Sequence, residues 1–347
     1  VIVPSEATPS RWSPHHQRLH RHLLHRPALL PAGAPLLLAV SGGQDSMALT
    51  ALLADLRRLH RWRLLLWHGD HGWRSDSGAQ ARALAAWAAG QGLALRLERA
   101  APPPEGEAAA RQWRYACLER LALAEGCRHV VTAHTASDRA ETVLLNLARG
   151  SHRLGLGSLR ARRPLGPEAG TGPLQLQLVR PLLPFSRRDT ARICLELELP
   201  VWEDSSNTEG RFARNRIRAE VLPVLEALHP GAARRIAAQA ERLEQESDAR
   251  GELLGLALEN LATAGGKGLA RQRLGQLATA NRRQLLDHWL RRQGAPALTG
   301  AALESLSRRL EAGRGPGLLN LADGWRLRWD RSTLELHRWK EPPLADG

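Results

Sequence analysis

Lysine is almost missing from this 347-residue chain: Lys267 and Lys340 are the only two among 49 basic residues. A Walker-type phosphate loop closes on Gly-Lys-Ser/Thr, which does not occur here, so lysine-dependent P-loop binding is excluded. A Schiff-base lysine in the first 260 residues is excluded with it. Cysteine is as scarce. Cys117, Cys127 and Cys194 form no C-x-x-C pair, so a zinc ribbon, a thioredoxin-like site or a bound cluster has no ligand set. A sparse, odd count suits a reducing cytosol rather than a disulfide-stapled secreted domain. Long apolar runs are missing too. The richest, residues 27–40, is broken by three prolines and falls short of the ~18 residues a membrane span needs. The stretch through Arg26 is rich in Arg and His and lacks the apolar core of a secretory signal. These absences lead us to expect a soluble, cytoplasmic protein.

What remains is a globular composition. Hydrophobic residues make up 43% and charged residues 24%, ordinary for a folded chain and long enough for two domains. The net charge of +14 favours a polyanionic partner, because basic surface gains affinity by releasing counterions from phosphate. The preference for Arg over Lys is equally consistent with genomic composition. Aromatics are few: Tyr115, Phe185, Phe212 and 11 Trp, so stacking on bases falls to Trp or Arg.

Residues 36–40, 63–68, 93–98 and 128–132 read as strands, separated by helical patterns over 47–60, 78–90 and 105–125 and followed by one over 138–149. This alternation predicts an α/β fold with a doubly wound, mostly parallel sheet. Ligands of such sheets bind beyond the carboxyl ends of the strands. Residues 150–173, rich in Gly, Arg and Pro without a period, read as a flexible loop. Helices are expected over 186–199, 210–228, 232–260, 281–292 and 300–312, then strands over 317–321, 324–329 and 333–337. The expected domains are therefore residues 1–228, carrying the nucleotide site, and residues 229–347, a linker helix with a smaller α+β module.

The sharpest motif is Ser41-Gly42-Gly43-Gln44-Asp45-Ser46, directly between a strand and a helix. Paired glycines permit positive φ and close backbone approach, and the helix start offers unpaired N–H groups to an anion. Ser41 and Ser46 can donate to phosphate oxygens. Asp45 suits an anion site only if a divalent cation such as Mg2+ lies between it and the phosphate. An ordinary glycine turn with Asp45 or Ser46 as helix cap is the bland alternative.

The hexapeptide resembles the phosphate loop of the N-type ATP pyrophosphatases, the PP-loop superfamily, which cleave ATP between the α- and β-phosphates. Further segments narrow the resemblance: Asp70-His71-Gly72-Trp73-Arg74-Ser75, Thr132-Ala133-His134-Thr135-Ala136-Ser137-Asp138-Arg139-Ala140-Glu141-Thr142, Arg180-Pro181-Leu182-Leu183, and Trp202-Glu203-Asp204-Ser205-Ser206-Asn207 leading to Arg214-Asn215-Arg216-Ile217-Arg218. In this order, over about residues 36–228, they are similar to the tRNA(Ile)-lysidine synthetase family. Residues 317–336 resemble its C-terminal domain more loosely. The tRNA thiolases of the superfamily use cysteine pairs that this chain lacks. The amidating synthetases carry a glutaminase domain that the residues before Pro35 are too few to form. The departures lie after the fourth strand, where Thr135, Ser137 and Arg139 replace the family's usual His, Asp and Gln.

The resemblance implies an ATP-dependent ligase that joins free L-lysine to C2 of the wobble cytidine in the CAU anticodon of tRNA(Ile), through an adenylated cytidine. It implies ATP as co-substrate and Mg2+ as cofactor, with tRNA(Ile) and lysine as partners, no membrane, and homodimer formation left open. It assigns catalysis to Asp45, His134, Asp138 and Glu141, and ATP binding to Ser41, Gly42, Gly43, Gln44, Asp45, Ser46 and Asp70. It assigns Mg2+ to Asp45, and tRNA contact to Arg211, Arg214, Asn215, Arg216 and Arg218. Asp138 and Glu141, at i and i+3, can hold the metal or the lysine ammonium, or simply favour a helix N-terminus. Asp70 reads as a ligand or as a turn residue, and His134 as a phosphate or proton-transfer group or as a structural histidine. Arg111 and Arg114 can meet phosphate or form a solvated face. Arg149, Arg153, Arg160, Arg162 and Arg163 read first as a solvated face. The five His and four Arg of residues 11–26 leave metal binding open. Two other functions stay in view: a different PP-loop tRNA modifier, and a non-catalytic RNA-binding relative.

Overall fold

The computed structural model describes residues 12–73, 76–151, 153–166, 175–202, 213–263 and 268–338. They form two compact units, Val1–Glu244 and Gln245–Gly347.

The first unit is built on β1 (Pro35–Ala39), whose three leucines, Leu36, Leu37 and Leu38, are all buried. A strand so apolar on both faces belongs in the middle of a parallel sheet covered on two sides. It pairs in parallel with β2 (Arg63–Asp70) and with β4 (His129–Val131), so that Leu37 lies opposite both Leu65 and Val130. The sheet has six strands in the order β3-β2-β1-β4-β6-β5, with β3 (Ala94–Arg99), β6 (Gln177–Val179) and β5 (Arg162–Pro164) completing it. Only the edge strand β5 is antiparallel. This is the mostly parallel α/β sheet expected from the alternation. Helices α2 (Gln44–His60), α3 (Ser77–Gly90), α4 (Gly106–Ala124) and α5 (Ala136–Ala148) connect the strands.

Two features depart from the periodicity. The stretch expected to be a loop contains a short helix, α6 (Arg153–Leu156), and the strand β5. A three-residue edge strand carries no apolar pattern; its hydrogen bonds to β6 define it, and they are invisible locally. The His/Arg stretch forms α1 (Pro14–His25), which buries Leu19 and Leu23 in the core. Its histidines are taken up by neighbours: His16 Nε2 lies 3.0 Å from Asp55 Oδ2 and His20 Nδ1 3.0 Å from His60 Nε2.

After α7 (Arg187–Glu196) the chain resumes with α8 (Ala213–Arg216), a π-helical turn (Ile217–Val221) and α9 (Leu222–Leu228). The long α10 (Ala232–Leu261) follows. Sequence punctuation puts a boundary near His229, whereas the first compact unit runs on to Glu244. The reason lies in α10 itself: Ala233 and Ile236 pack with Ala140 and Leu222, and Glu241 and Glu244 pair with Arg26 and Arg139.

In the second unit β7 (Gly268–Ala270), β8 (Gly317–Asn320), β9 (Trp325–Trp329) and β10 (Thr333–Arg338) form an antiparallel sheet in the order β7-β10-β9-β8. It shares its core with α11 (Arg271–Gly275), α12 (Thr279–Arg292) and α13 (Gly300–Arg309). Arg282 is 2% exposed yet satisfied: it donates to Ser307 Oγ at 3.0 Å and to the Gly275 carbonyl at 2.7 Å. A buried cation is tolerated when acceptors surround it.

Candidate active site at the carboxyl edge of the sheet

Because β1 and β4 are neighbours, the segments leaving their carboxyl ends lie side by side. After β1 the chain turns at Gly42, whose φ of +84° is accessible to glycine at little cost. A Cβ there would also meet the Trp202 ring at 3.1 Å, and the Trp202 N–H donates to the Gly42 carbonyl at 3.1 Å. The loop is held shut by its serines. Ser41 N donates to Ser46 Oγ at 3.2 Å, Ser46 Oγ donates to the Gly43 carbonyl at 2.8 Å, and Gly43 N donates to Ser41 Oγ at 3.3 Å. Gly43 is the N-cap of α2 and supplies no side-chain cap, so the first N–H groups of that helix face an anion unscreened.

Asp45 follows within the first turn of α2, with 17% of its side chain exposed. Its Oδ2 lies 3.3 Å from Arg187 Nη1, and its Oδ1 accepts a short hydrogen bond from the Thr190 hydroxyl. Burial, and then the negative charge of Asp138, push its pKa up against Thr190, Arg187 and Arg218. The Gln44 side chain turns to α7, donating to the Arg187 carbonyl and to Thr190 Oγ1, both at 2.7 Å.

After β4, Thr135 caps α5. Its N–H and hydroxyl both donate to Asp138 Oδ2 at 2.8 Å, and its oxygen accepts the Asp138 N–H. This capping box fixes Asp138 and places Glu141 one turn along, on the same face. Two arginines meet that face from α8 and the π-turn, where the i, i+4 spacing of Arg214 and Arg218 puts them together. Arg214 donates to Asp138 Oδ1 at 3.0 Å and to Glu141 Oε2 at 2.9 Å; Arg218 donates to Glu141 Oε1 at 2.6 Å. Burial works against the charge of Asp138, but Arg214 and the Thr135 hydrogen bonds overcome it and hold the carboxyl below its usual range. The pKa of His134, 3.0 Å from Thr132 Oγ1, is also lowered: burial, reinforced by Arg180, Arg214 and Arg111 against Asp138, keeps the imidazole neutral.

Two half-buried carboxylates thus repel one another beside an amide-lined loop. Asp45 and Asp138 are hard oxygen donors, and a divalent cation would relieve that repulsion, so the pair fits Mg2+. Among the described residues no group of three or more His, Cys, Asp or Glu could hold a metal alone.

The other expected residues lie as follows. Asp70 is 8% exposed at the end of β2 and organises its own turn, accepting from Gly72 N at 2.8 Å and Ser77 Oγ at 3.0 Å. These partners are separate from the Asp45–Asp138 group. Arg216 is at the surface, paired with Glu220 one turn on at 2.9 Å. Arg211 and residues 203–207 lie outside the described residues. Arg114 contacts His71 at 3.1 Å, and Arg111 and Arg163 cover the Tyr115 ring, 4.8 and 5.3 Å from its centre. Ser137 Oγ accepts the Arg187 N–H at 3.1 Å. Sequence reasoning passed over Arg187 and Thr190. The one signal available was their place in the first turn of a helix that follows a strand of the same sheet.

Comparison with known proteins matches residues 15–225 to a family profile described as a PP-loop domain. A tRNA(Ile)-lysidine synthase of Parasynechococcus marenigrum is 52% identical over 338 residues, covering 96% of each chain. One from Prochlorococcus marinus is 41% identical over 333 residues, covering 94% of this chain and 96% of that one. Among solved structures, the U34-tRNA thiolase NcsA from Methanococcus maripaludis, described with its [4Fe-4S] cluster, superposes with a TM-score of 0.54 at 18% identity. It covers 67% of this chain and 78% of that one, a likeness of fold.

Proposed function

Since the chain belongs to the tRNA(Ile)-lysidine synthase family, with its PP-loop domain, we propose that the carboxyl edge of β1 and β4 adenylates a tRNA cytidine and then joins lysine to it. The observation that carries the reading is the convergence on one spot of an uncapped amide loop, the carboxylates Asp45, Asp138 and Glu141, and two arginines from the α8 segment.

The first step is attack of the cytosine O2 on the α-phosphate of ATP, with pyrophosphate leaving. Phosphoryl transfer of this type is mostly positioning and charge neutralisation. The N–H groups of Gln44, Asp45 and Ser46 hold the polyphosphate at the positive end of α2. Mg2+, held by Asp45 and Asp138, would supply neutralisation of the charge that develops on the phosphates. His134, kept neutral, donates a hydrogen bond to a phosphoryl oxygen instead of acting as an acid. In the second step the ε-amine of lysine displaces AMP at C2. Asp138 receives the lysine ammonium at the mouth of the loop, and the amine attacks after passing a proton to solvent.

Arg214 and Arg218, anchored on those carboxylates, fix the α8 segment over the nucleotide. Arg216, on the opposite side of the segment, is left for an RNA phosphate. An extruded base is what a PP-loop at a sheet edge can reach. The setting is the cytoplasm, where tRNA, ATP and lysine occur together; no helix among the described residues is long and apolar enough to cross a membrane.

A sulfur-transferring alternative has little to work with. Cys117, Cys127 and Cys194 are all buried, and burial pushes all three thiols up, Cys194 to about 11. Thiol chemistry needs the thiolate.

Incubation with ATP, Mg2+, labelled lysine and tRNA(Ile) bearing CAU tests the proposal. Label should enter the tRNA, and the wobble nucleoside should gain the mass of lysine less one water. Failure of label to enter, or a mass gain corresponding to sulfur, would reject it. Asp45→Ala should abolish pyrophosphate release.

A further inference from the structure

We infer that Thr190, oriented by Gln44, is a positioning residue that fixes the Asp45 carboxylate for a divalent cation. This rests on the reading that Asp45 holds that cation.

The hydroxyl of Thr190 is wholly buried in the first turn of α7. Three groups converge on it: Gln44 Nε2 at 2.7 Å, the Arg187 carbonyl at 2.9 Å, and Asp45 Oδ1 in a short contact. A hydroxyl has one proton and two lone pairs, and an amide nitrogen has two protons and no lone pair to offer. Gln44 therefore donates, placing one proton on the Thr190 oxygen and the other on the Arg187 carbonyl, 2.7 Å away. With that carbonyl served by Gln44, the hydroxyl proton goes to the charged acceptor, Asp45, where a hydrogen bond is stronger. With Asp45 ionised, this is the arrangement that places a proton in the short Thr190–Asp45 contact. The Gln44 backbone is pinned as well, since the Cys194 Sγ lies 3.3 Å from its carbonyl oxygen.

The two oxygens of Asp45 are consequently unequal. Oδ1 is held from the inside by a buried neutral group. Oδ2 faces Arg187 at 3.3 Å, and that guanidinium is 43% exposed. The terminal torsion of an aspartate is broad and poorly fixed by itself. Thr190 locks it and turns Oδ2 outward, so a cation can replace Arg187 there without the carboxylate rotating. Partners that orient a ligating carboxylate commonly change metal affinity 10- to 100-fold when removed.

Two substitutions separate this role from packing. Thr190→Val keeps the volume and loses the hydroxyl; Thr190→Ser keeps the hydroxyl and loses a methyl from a packed site. Binding of a non-hydrolysable ATP analogue by the full chain, titrated with Mg2+ in a calorimeter, gives the Mg2+ concentration at half-effect. Mn2+ binding followed by electron paramagnetic resonance gives the same quantity independently. Thr190→Val should raise the half-effect concentration about tenfold, while Thr190→Ser stays near the wild type even where its melting temperature falls. The reverse pattern, or a wild-type Mg2+ dependence for Thr190→Val, overturns the inference. If Thr190→Val does not fold, Gln44→Ala removes the amide that consigns the proton to Asp45 and should give a shift in the same direction; no shift there overturns the inference as well. Asp45→Asn is the control for the underlying reading. If it leaves the Mg2+ dependence unchanged, Asp45 is not the cation's carboxylate, and that reading falls first.

Discussion

Glu141 and Arg216 show how one arginine-rich stretch can do two different things. Glu141 is 1% exposed and holds two guanidiniums, so its charge is tolerable only while they stay. Breaking a fully buried pair costs about 3–5 kcal/mol, and the partial exposure of Arg214 and Arg218 lowers this to about 2 kcal/mol for Glu141→Ala. Chemical denaturation should show that loss, and tRNA binding should weaken too, because the α8 segment loses its anchor. Arg216 is 63% exposed, and its pairing with Glu220 on the helix surface adds little. Arg216→Ala should leave the melt and ATP affinity untouched. It should weaken tRNA binding and reduce the slope of log affinity against log salt by about one, which filter binding at several salt concentrations measures.

The element that matters most is α5. Its sequence departs from the pattern that the resemblance implies at Thr135, Ser137 and Arg139, and all three find structural employment: Thr135 caps the helix and fixes Asp138, Ser137 accepts the first N–H of α7, and Arg139 pairs with Glu244. Thr135→Ala removes the cap and should cost about 1 kcal/mol in a thermal or urea melt. It should also raise the KM for lysine or for Mg2+, since Asp138 Oδ2 loses the hydrogen bond from the Thr135 hydroxyl and keeps only the one from the backbone N–H. The π-turn is the counterpart across the site. A regular helix pattern over 210–228 predicts the helical character but not the widened turn that carries Arg218 to Glu141. Such bulges are common at functional sites and have no periodicity of their own.

For the first compact unit as a body, the division of α10 decides where the chain can be cut. A chain ending after residue 244 keeps the packing of Ala233 and Ile236 and the partners of Arg26 and Arg139; one ending after residue 228 loses them all. The longer piece should melt cooperatively and the shorter one should be markedly less stable, as a scanning calorimeter would show. The same unit carries an acid sensitivity in α1. Burial, then the charge of Arg26, lowers the His22 pKa to about 4, against Glu241. In the unfolded chain a histidine takes up its proton near ~6.5. Above that pH the group is neutral in both states and has no effect. Below it the unfolded chain gains a proton that the folded one refuses, so stability falls as pH drops from 6.5 toward 4. Denaturation at pH 7 and pH 5 should show a smaller difference for His22→Gln than for the wild type.

The parallel sheet, its strand-end hexapeptide and the family were readable in the residues, because buried strands, helical periods and a Gly-Gly turn are written locally. Leu36–Leu38 could hardly be anything but a central strand, and Ser41 to Ser46 follow it directly. The expected site residues were readable as residue types at strand ends, not as partners. That Arg214 and Arg218 meet Asp138 and Glu141, that Asp70 serves its own turn, and that Thr190 reaches Asp45 from a helix some 145 positions away follow from the order in which β1, β4 and β6 lie in the sheet. Hydrogen bonds and ion pairs between distant segments depend on where folding brings them. A chain can specify such pairings as a whole while no window of it spells them out.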